Sequence, residues 1–268
     1  MNVIDELLAG RAPQATSEQP WVPTPTRPTS EGGYPEARRR PAGRCATAGT
    51  GTISPGHSER TCSSCRLRRA DEADRLLRLI ASQSANLLSY RKIAQQLELD
   101  DKTVKEHTLL LEQLLLIRRL PGWRPGLGAR EAARAKAYIC DPGLLAHLLG
   151  ADETRIRTDD QVKGKACETL ALAELLKHAS WAEKTVRLFH YQRDREDIDF
   201  IIENNAGEIA AVEVKAAATI DRRDRRWLER LRDARPDRFK AGIILHAGAQ
   251  TTPLGDRLWA VPFSGLWI

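Results

Sequence analysis

The sequence predicts a mixed α/β protein, in which a small helical domain precedes an α/β domain with a mixed central sheet. Apolar residues recur at helical spacing between residues 67 and 120, whereas runs typical of strands prevail after residue 180. Residues 1–66 contain eight of the 14 prolines and only six Val, Ile, Leu or Phe residues, too few to bury a core. We therefore expect residues 1–66 to be largely disordered, residues 67–150 to form the helical domain and residues 151–268 to form the α/β domain.

The composition is ordinary for a soluble protein and excludes several classes. No apolar run approaches the roughly 18 residues of a membrane span. The N-terminus, Met1 to Glu6, lacks the basic and apolar regions of a signal peptide, so we expect a cytoplasmic protein without membrane contact. Five cysteines, an odd number, argue against a disulfide framework. The net charge of +6 is compatible with a nucleic-acid partner and equally with a soluble protein that has none.

Three helices and a hairpin are predicted in the first folded domain. Apolar spacing predicts helices over Asp71–Ala81, Ser89–Leu97 and Lys102–Leu116, with Ser89 as the N-cap of the second. A four-residue turn separates the second and third helices. A hairpin with a Gly- and Pro-rich tip follows over residues 117–140, and then a short helix over Leu144–Leu149. This order is typical of a winged helix-turn-helix.

Such a domain would place the third helix in the DNA major groove and the hairpin on phosphates. The residues predicted to make these contacts are Lys102, Thr103, Lys105, Arg118, Arg124 and Arg130. However, Asp100 and Asp101 open the third helix and would repel phosphate. The alternative interpretation is that the domain packs against protein and does not bind DNA.

The second folded domain alternates helices with strands. The predicted elements are helices over Lys163–His178 and Asp221–Ala234 and strands over Val186–Tyr191, Asp197–Glu203, Glu208–Lys215, Lys240–His246 and Leu258–Phe263. The segment from Asp221 to Lys240 carries nine Arg or Lys and five Asp or Glu residues. It is either a solvated face or a surface that follows phosphates, and we expect its Trp227 to lie in the core.

Two carboxylates and a lysine are the most informative motif. Asp197-Ile198-Asp199-Phe200 on one strand precedes Glu213-Val214-Lys215 on the next, which is the pattern of PD-(D/E)xK nucleases. Asp199 and Glu213 would hold a divalent cation such as Mg²⁺, and Lys215 would stabilise charge at the attacked phosphate. In that fold a glutamate on the preceding helix often joins the metal, and Glu168 occupies that position.

The motif requires a particular strand register. Side chains alternate along a strand, so Asp199 shares a face with Glu213 and Lys215 only if paired residue numbers have an even sum. We therefore predict a three- or five-residue loop or a bulge, with Gly207 at positive φ. In the alternative interpretation, Asp199 and Glu213 are strand-end carboxylates paired with Arg193, Arg195 or Lys215.

Several segments together resemble a known prokaryotic family. They are Thr103–Pro121, Lys136–Leu144, Glu168–Leu175, Tyr191–Lys215 and Val261–Trp267. In this order they are similar to AAA-type ATPases with a C-terminal domain of unknown function (number four-one-four-three). The resemblance covers about residues 67–268. It implies a winged helix and a restriction-endonuclease-like domain behind an N-terminal ATPase module.

The chain departs from this family in its first part. No Gly-x-x-x-x-Gly-Lys-Ser/Thr motif occurs, so we expect neither ATP binding nor ATPase activity. Residues 1–40 resemble the tail of the ATPase module, which suggests a truncated member. Residues 41–66 do not resemble the helix expected next, and we hypothesise that they are read in a shifted frame. Cys62 and Cys65, with Cys45 and His57 nearby, have zinc-ligand spacing but no core to hold a site.

The sequence thus supports two hypotheses. In the first, the protein associates with nucleic acid and uses Asp199, Glu213, Glu168 and Lys215 for Mg²⁺-dependent phosphodiester cleavage. In the second, it is a non-catalytic interaction module for DNA or protein, or a decayed fragment without independent activity.

Overall fold

A computed structural model describes residues 2–14, 68–124, 130 and 133–267. The predicted linker, the frame-shift hypothesis and the cysteines at positions 45, 62 and 65 fall outside these residues. The chain divides into two compact units. The sheet unit comprises Met1–Thr24, Leu120–Arg134 and Leu170–Ile268, and the helical unit comprises Pro25–Arg119 and Ala135–Thr169.

The helical unit contains helices α2 to α6 and a three-stranded sheet. Its elements are α2 (Arg68–Ser82), β1 (Asn86–Leu87), α3 (Tyr90–Leu97), α4 (Asp101–Gln113), β2 (Ile117–Leu120), β3 (Lys136–Ile139), α5 (Pro142–Leu148) and α6 (Glu153–Thr158). The strand order is β1-β3-β2. Leu76, Ile80, Ile93, Val104 and Leu111 bring the apolar faces of α2, α3 and α4 into one core.

Helix α4 begins where an aspartate satisfies its free backbone donors. Asp100 is the N-cap, and its side chain accepts a hydrogen bond from the Thr103 N–H at 2.8 Å. Glu98, at φ 58°, turns the chain between α3 and α4. Ser89 is the N-cap of α3 as predicted, although its side chain makes no capping hydrogen bond.

The sheet unit is built on six strands in the order β4-β5-β6-β7-β9-β8. They are β4 (Val186–Arg193), β5 (Glu196–Asn204), β6 (Ile209–Val214), β7 (Phe239–His246), β8 (Thr252–Gly255) and β9 (Leu258–Pro262). Strands β6, β7 and β9 are parallel and the other pairs are antiparallel, which confirms the predicted mixed sheet. Strand β8 was not predicted, because Thr252–Gly255 is short, largely exposed and contains a proline.

Helices accompany this sheet. The long helix α7 (Asp160–Ser180) begins in the helical unit and ends in the sheet unit, and α8 (Arg222–Ala234) connects β6 to β7. Leu228 and Leu231 of α8 pack on the sheet with Ile201 and Ala211. A 3₁₀ turn over Phe263–Leu266 follows β9.

The N-terminus contributes a further helix, α1 (Val3–Leu8), to the sheet unit. Val3, Ile4 and Leu7 are fully buried, and α1 contacts β6 and β7. The Asn2 side chain caps α1 and donates a hydrogen bond to the His178 carbonyl at 2.8 Å. Composition averaged over residues 1–66 hid this helix, because its apolar residues are concentrated in one turn and a half.

The tip of the predicted hairpin also lies in the sheet unit. The Trp123 N–H donates to the His190 carbonyl at 2.6 Å, and the His190 N–H donates to the Pro121 carbonyl at 3.0 Å. Backbone pairing with β4 therefore holds residues 121–123, whereas both strands of the hairpin belong mainly to the helical unit. A single domain boundary near residue 150, as predicted, does not account for a segment around residues 121–123 that belongs to the sheet unit.

Candidate functional site

The register between β5 and β6 brings Asp199, Glu213 and Lys215 to one face. Paired residues run from Phe200 opposite Val212 to Glu203 opposite Ile209, so their numbers have an even sum. Gly207, in the connecting loop, has φ 77°. Both sequence predictions about this hairpin are confirmed, and continuation of the register places Asp199 opposite Glu213.

A bulge next to the site aims the Asp199 side chain. Phe189 of β4 pairs with Ile201 and Tyr191 pairs with Ile198, so that two residues of β5, Asp199 and Phe200, lie opposite His190 alone. The Asp199 carboxylate accepts a hydrogen bond from the Val214 N–H at 2.8 Å. This bond continues the contact between β5 and β6 beyond the last backbone pair and fixes Asp199 beside Glu213.

Lys215 connects the carboxylates to helix α8. Its Nζ lies 3.0 Å from Glu213 Oε1 and 3.7 Å from Asp224 Oδ1. Asp224 is held in turn by a capping box, in which Asp221 and Asp224 each accept a hydrogen bond from the other's backbone N–H. Sequence reasoning missed Asp224, although an Asp at the N-cap with an Asp three residues later indicates a capping box.

Burial dominates the electrostatics of this group. Removal of the Glu213 carboxyl from water, together with the neighbouring Asp199, raises the pKa of Glu213 to about 8, although Lys215 opposes the shift. Burial alone would lower the pKa of Lys215, but Glu213 and Asp199 outweigh it and raise that pKa. The carboxylates of Asp199 and Glu213 therefore repel each other when both are ionised, and the Lys215 ammonium group offsets only part of this repulsion.

This donor set fits a hard divalent cation. Buried carboxylates that repel each other are stabilised by a bound cation, and Mg²⁺ is commonly held by one or two carboxylates with water completing its shell. Within residues 2–14, 68–124, 130 and 133–267, no group of three or more His, Cys, Asp or Glu side chains is arranged to hold a metal. The two carboxylates that the hairpin register places side by side, Asp199 and Glu213, are the residues that could hold such a cation.

The fourth predicted member of the site, Glu168, lies on α7. It is half-buried and precedes Leu170, so it belongs to the helical unit, whereas the other three belong to the sheet unit. Its participation in metal binding stays a prediction.

The residues of the helical unit that we predicted to contact nucleic acid differ in how accessible their side chains are. Lys102, Lys105 and Arg118 are exposed, and the Lys102 side chain retains 87% of its accessible surface. Thr103 donates its hydroxyl to the Asp100 carboxylate at 2.6 Å, so it serves the helix cap.

The two other predicted contacts lie in the sheet unit. Arg130, which we predicted to contact phosphate, forms an ion pair with Glu203 at 2.7 Å, and its side chain is only 16% exposed. Arg124 lines a cleft beside Tyr191 and Trp227. Trp227, which we expected in the core, is only partly buried.

Two family models match the chain. Residues 163–266 match DUF4143, a domain of unknown function that is typically found with AAA ATPase domains. Residues 60–155 match DUF8612, a second domain of unknown function. The C-terminal part of the chain is therefore similar to the domain of unknown function that the resemblance in sequence had named.

Two curated relatives are similar over most of the chain. The uncharacterized proteins Mb2031c of Mycobacterium bovis and Rv2008c of Mycobacterium tuberculosis are each 29% identical over 186 residues, which is 69% of this chain. The matched region spans 40% of the length of each relative. No solved structure matches the chain. Among the described residues, none of the helices combines the length and apolar character that crossing a membrane requires.

Proposed function

We propose that the sheet unit is a metal-dependent phosphodiesterase of the PD-(D/E)xK kind that acts on nucleic acid. The observation that carries this proposal is the meeting of Asp199, Glu213 and Lys215 on one face of the sheet, at the end of β6, produced by an even register and a bulge. The mixed sheet and the helix that follows the Glu-x-Lys strand support the same assignment. The order of helices and strands in the helical unit supports a winged helix that would bind duplex DNA.

In this mechanism the chain supplies ligands and positive charge. Asp199 and Glu213 would hold Mg²⁺, which when bound polarises a phosphodiester and lowers the pKa of a coordinated water. Lys215 stabilises the charge that develops on the phosphate oxygens. Asp224 keeps the Lys215 ammonium near the carboxylates. The Lys215 side chain is therefore ordered before the reaction begins, and it loses less conformational freedom in the transition state.

The link with AAA ATPases rests on the usual neighbours of DUF4143 domains and not on the chemistry of this chain. The sequence contains no phosphate-binding loop, and we propose that this chain hydrolyses no ATP.

A cleavage assay tests the proposal. The 268-residue chain is incubated with single- and double-stranded DNA and Mg²⁺ or Mn²⁺, and the Lys215→Ala variant is compared with Lys240→Ala. Lys240 is a matched control, because both lysines have 34% exposed side chains and form an ion pair with a glutamate. We expect cleavage to fall by about two orders of magnitude or more in Lys215→Ala only.

Metal binding is measured separately from cleavage. Mg²⁺ or Mn²⁺ should raise the melting temperature of the wild type, because a ligand that binds only the folded state stabilises it. The Asp199→Asn variant should lose this increase. Equal behaviour of wild type, Lys215→Ala and Asp199→Asn in both experiments would favour the non-catalytic alternative.

A further inference from the structure

A cleft of about 510 Å³ lies on the sheet unit beside the carboxylate site. Its walls are the end of the β4–β5 hairpin, helix α8 and residues 123 and 124. We call it the arginine–aromatic cleft and define it by Trp123, Arg124, Tyr191, Arg193, Trp227 and Arg235. Its volume is in the range of pockets that hold a small organic group, roughly 300–1,000 Å³.

Two half-buried aromatic rings, Tyr191 and Trp227, form the apolar surface of the arginine–aromatic cleft, and Trp123, which is only 2% exposed, packs beneath them. Trp123 and Tyr191 contact each other edge to face, with ring centroids 6.0 Å apart. Trp227 is half-buried and carries the Arg226 guanidinium over its ring at 4.4 Å. The rings are therefore held in place while part of Trp227 remains accessible.

The charge of the cleft is strongly positive. Arg124, Arg193 and Arg235 form no ion pair with any described residue. The one carboxylate in the lining, Glu196, is already engaged by Arg230 at 2.7 Å and by the Tyr191 hydroxyl at 2.7 Å. An anion that entered the cleft would meet three uncompensated guanidinium groups.

We propose that the arginine–aromatic cleft binds single-stranded nucleic acid, with an unpaired base against the aromatic rings and the flanking phosphates on the arginines. This inference rests on the proposed function and names its substrate class. Bases stack on aromatic side chains irrespective of sequence, and arginines follow the backbone. In a duplex the base faces are covered by their neighbours, so only an unpaired base can enter a cleft of this kind.

The cleft and the carboxylate site share two elements. Asp224, which contacts Lys215, and Trp227 are three residues apart on α8, so they lie on the same side about one helical turn apart. Tyr191 pairs with Ile198, the residue before Asp199. A strand that left the cleft along α8 towards Asp224 would therefore run towards the carboxylates.

Fluorescence anisotropy in EDTA tests this inference without cleavage. The probes are a fluorescein-labelled oligothymidylate, its duplex and an abasic strand of the same length. Trp227→Ala should weaken binding of oligothymidylate about tenfold or more, and Trp227→Phe should restore most of it. Arg193→Gln should weaken binding and reduce the salt slope by about 0.7. Arg187→Gln is the control, because Arg187 is exposed, forms no ion pair with a described residue and lies at the opposite end of β4.

The outcomes separate this inference from the proposed function. Unchanged affinity for oligothymidylate in Trp227→Ala and Arg193→Gln would overturn it, even if metal-dependent cleavage were found. Equal binding of the abasic strand and of oligothymidylate would also overturn it. Loss of single-strand binding in these variants, with no cleavage by the wild type, would support the cleft and remove the proposed nuclease activity. Circular dichroism of each variant confirms that it folds.

Discussion

Arg130 and Glu203 form an ion pair between residues 73 positions apart. The guanidinium approaches both carboxylate oxygens, with distances of 2.7 and 2.9 Å, and Arg238 binds Oε1 of the same carboxylate at 2.7 Å. The Glu203 side chain is 7% exposed, and Arg130 also lies 5.1 Å from the centre of the Phe189 ring. One buried carboxylate thus holds two arginines that are distant in sequence.

Removal of this carboxylate should destabilise the sheet unit. In Glu203→Gln two guanidinium groups lose their buried counter-charge, which costs about 2–4 kcal/mol of unfolding free energy. Urea unfolding measures the loss. Lys184→Gln, which removes an exposed ion pair with Glu208 at 3.4 Å, should cost under about 1 kcal/mol. Equal midpoints for the two variants would contradict the prediction.

Two glycines should respond to alanine in opposite directions. Gly207 has φ 77°, and an added Cβ would lie 2.8 Å from an Arg238 nitrogen, so Gly207→Ala should destabilise by about 1–2 kcal/mol. Gly164 lies inside α7 with nothing within 4 Å of an added Cβ. Gly164→Ala should stabilise by about 0.5–1 kcal/mol. Thermal melting of both variants checks the signs, and a stabilising Gly207→Ala would refute the argument.

Low pH should destabilise the fold at the start of β6, because the Glu208 carboxylate becomes protonated. Hydrogen bonds from Lys240, first, and from Asn204 lower the pKa of Glu208 from 4.5 to about 2, in spite of partial desolvation. Because the folded pKa is the lower one, this stabilisation is present above pH 4.5 and is lost as the pH falls towards 2.

Melting temperatures measured from pH 6 down to pH 2 check this. Glu208→Gln should be less stable than the wild type by about 1 kcal/mol or less near pH 6, since the group is near the surface. The difference should shrink towards pH 2. A difference that does not change with pH would show that Glu208 acts only through packing.

Duplex binding through the helical unit should depend on exposed lysines of α4. The double variant Lys102→Gln and Lys105→Gln should weaken duplex DNA binding and lower the salt slope by about two. Arg157→Gln, an exposed charge on α6, is the control. Anisotropy titrations at several salt concentrations measure both quantities. The same slope in all three proteins would assign the helical unit to protein contacts.

Local sequence patterns were sufficient to predict much of the sheet unit. Side chains alternate along a strand, so the spacing of Asp199, Glu213 and Lys215 already limited the register, and Gly207 indicated a turn that needs positive φ. The mixed sheet followed from the order of helices and strands. These features depend on neighbours within a few residues, which a single sequence displays.

Other features depend on residues that only folding brings together. Asp224 reaches Lys215 because α8 crosses back over the sheet. The arginine–aromatic cleft combines residues around positions 123, 191 and 227, each of which was ordinary in its own segment. Arg130 was assigned to phosphate because its partner, Glu203, is far along the chain.

The amino-acid order by itself determined most of the helices and strands, the even register and the identity of the two acids and one lysine, since each follows from periodicity and turn chemistry. Tertiary structure decided the partner of each charge and which part of the hairpin segment joins the sheet. Burial and Coulomb energies depend on distances through space, and these are absent from a linear sequence.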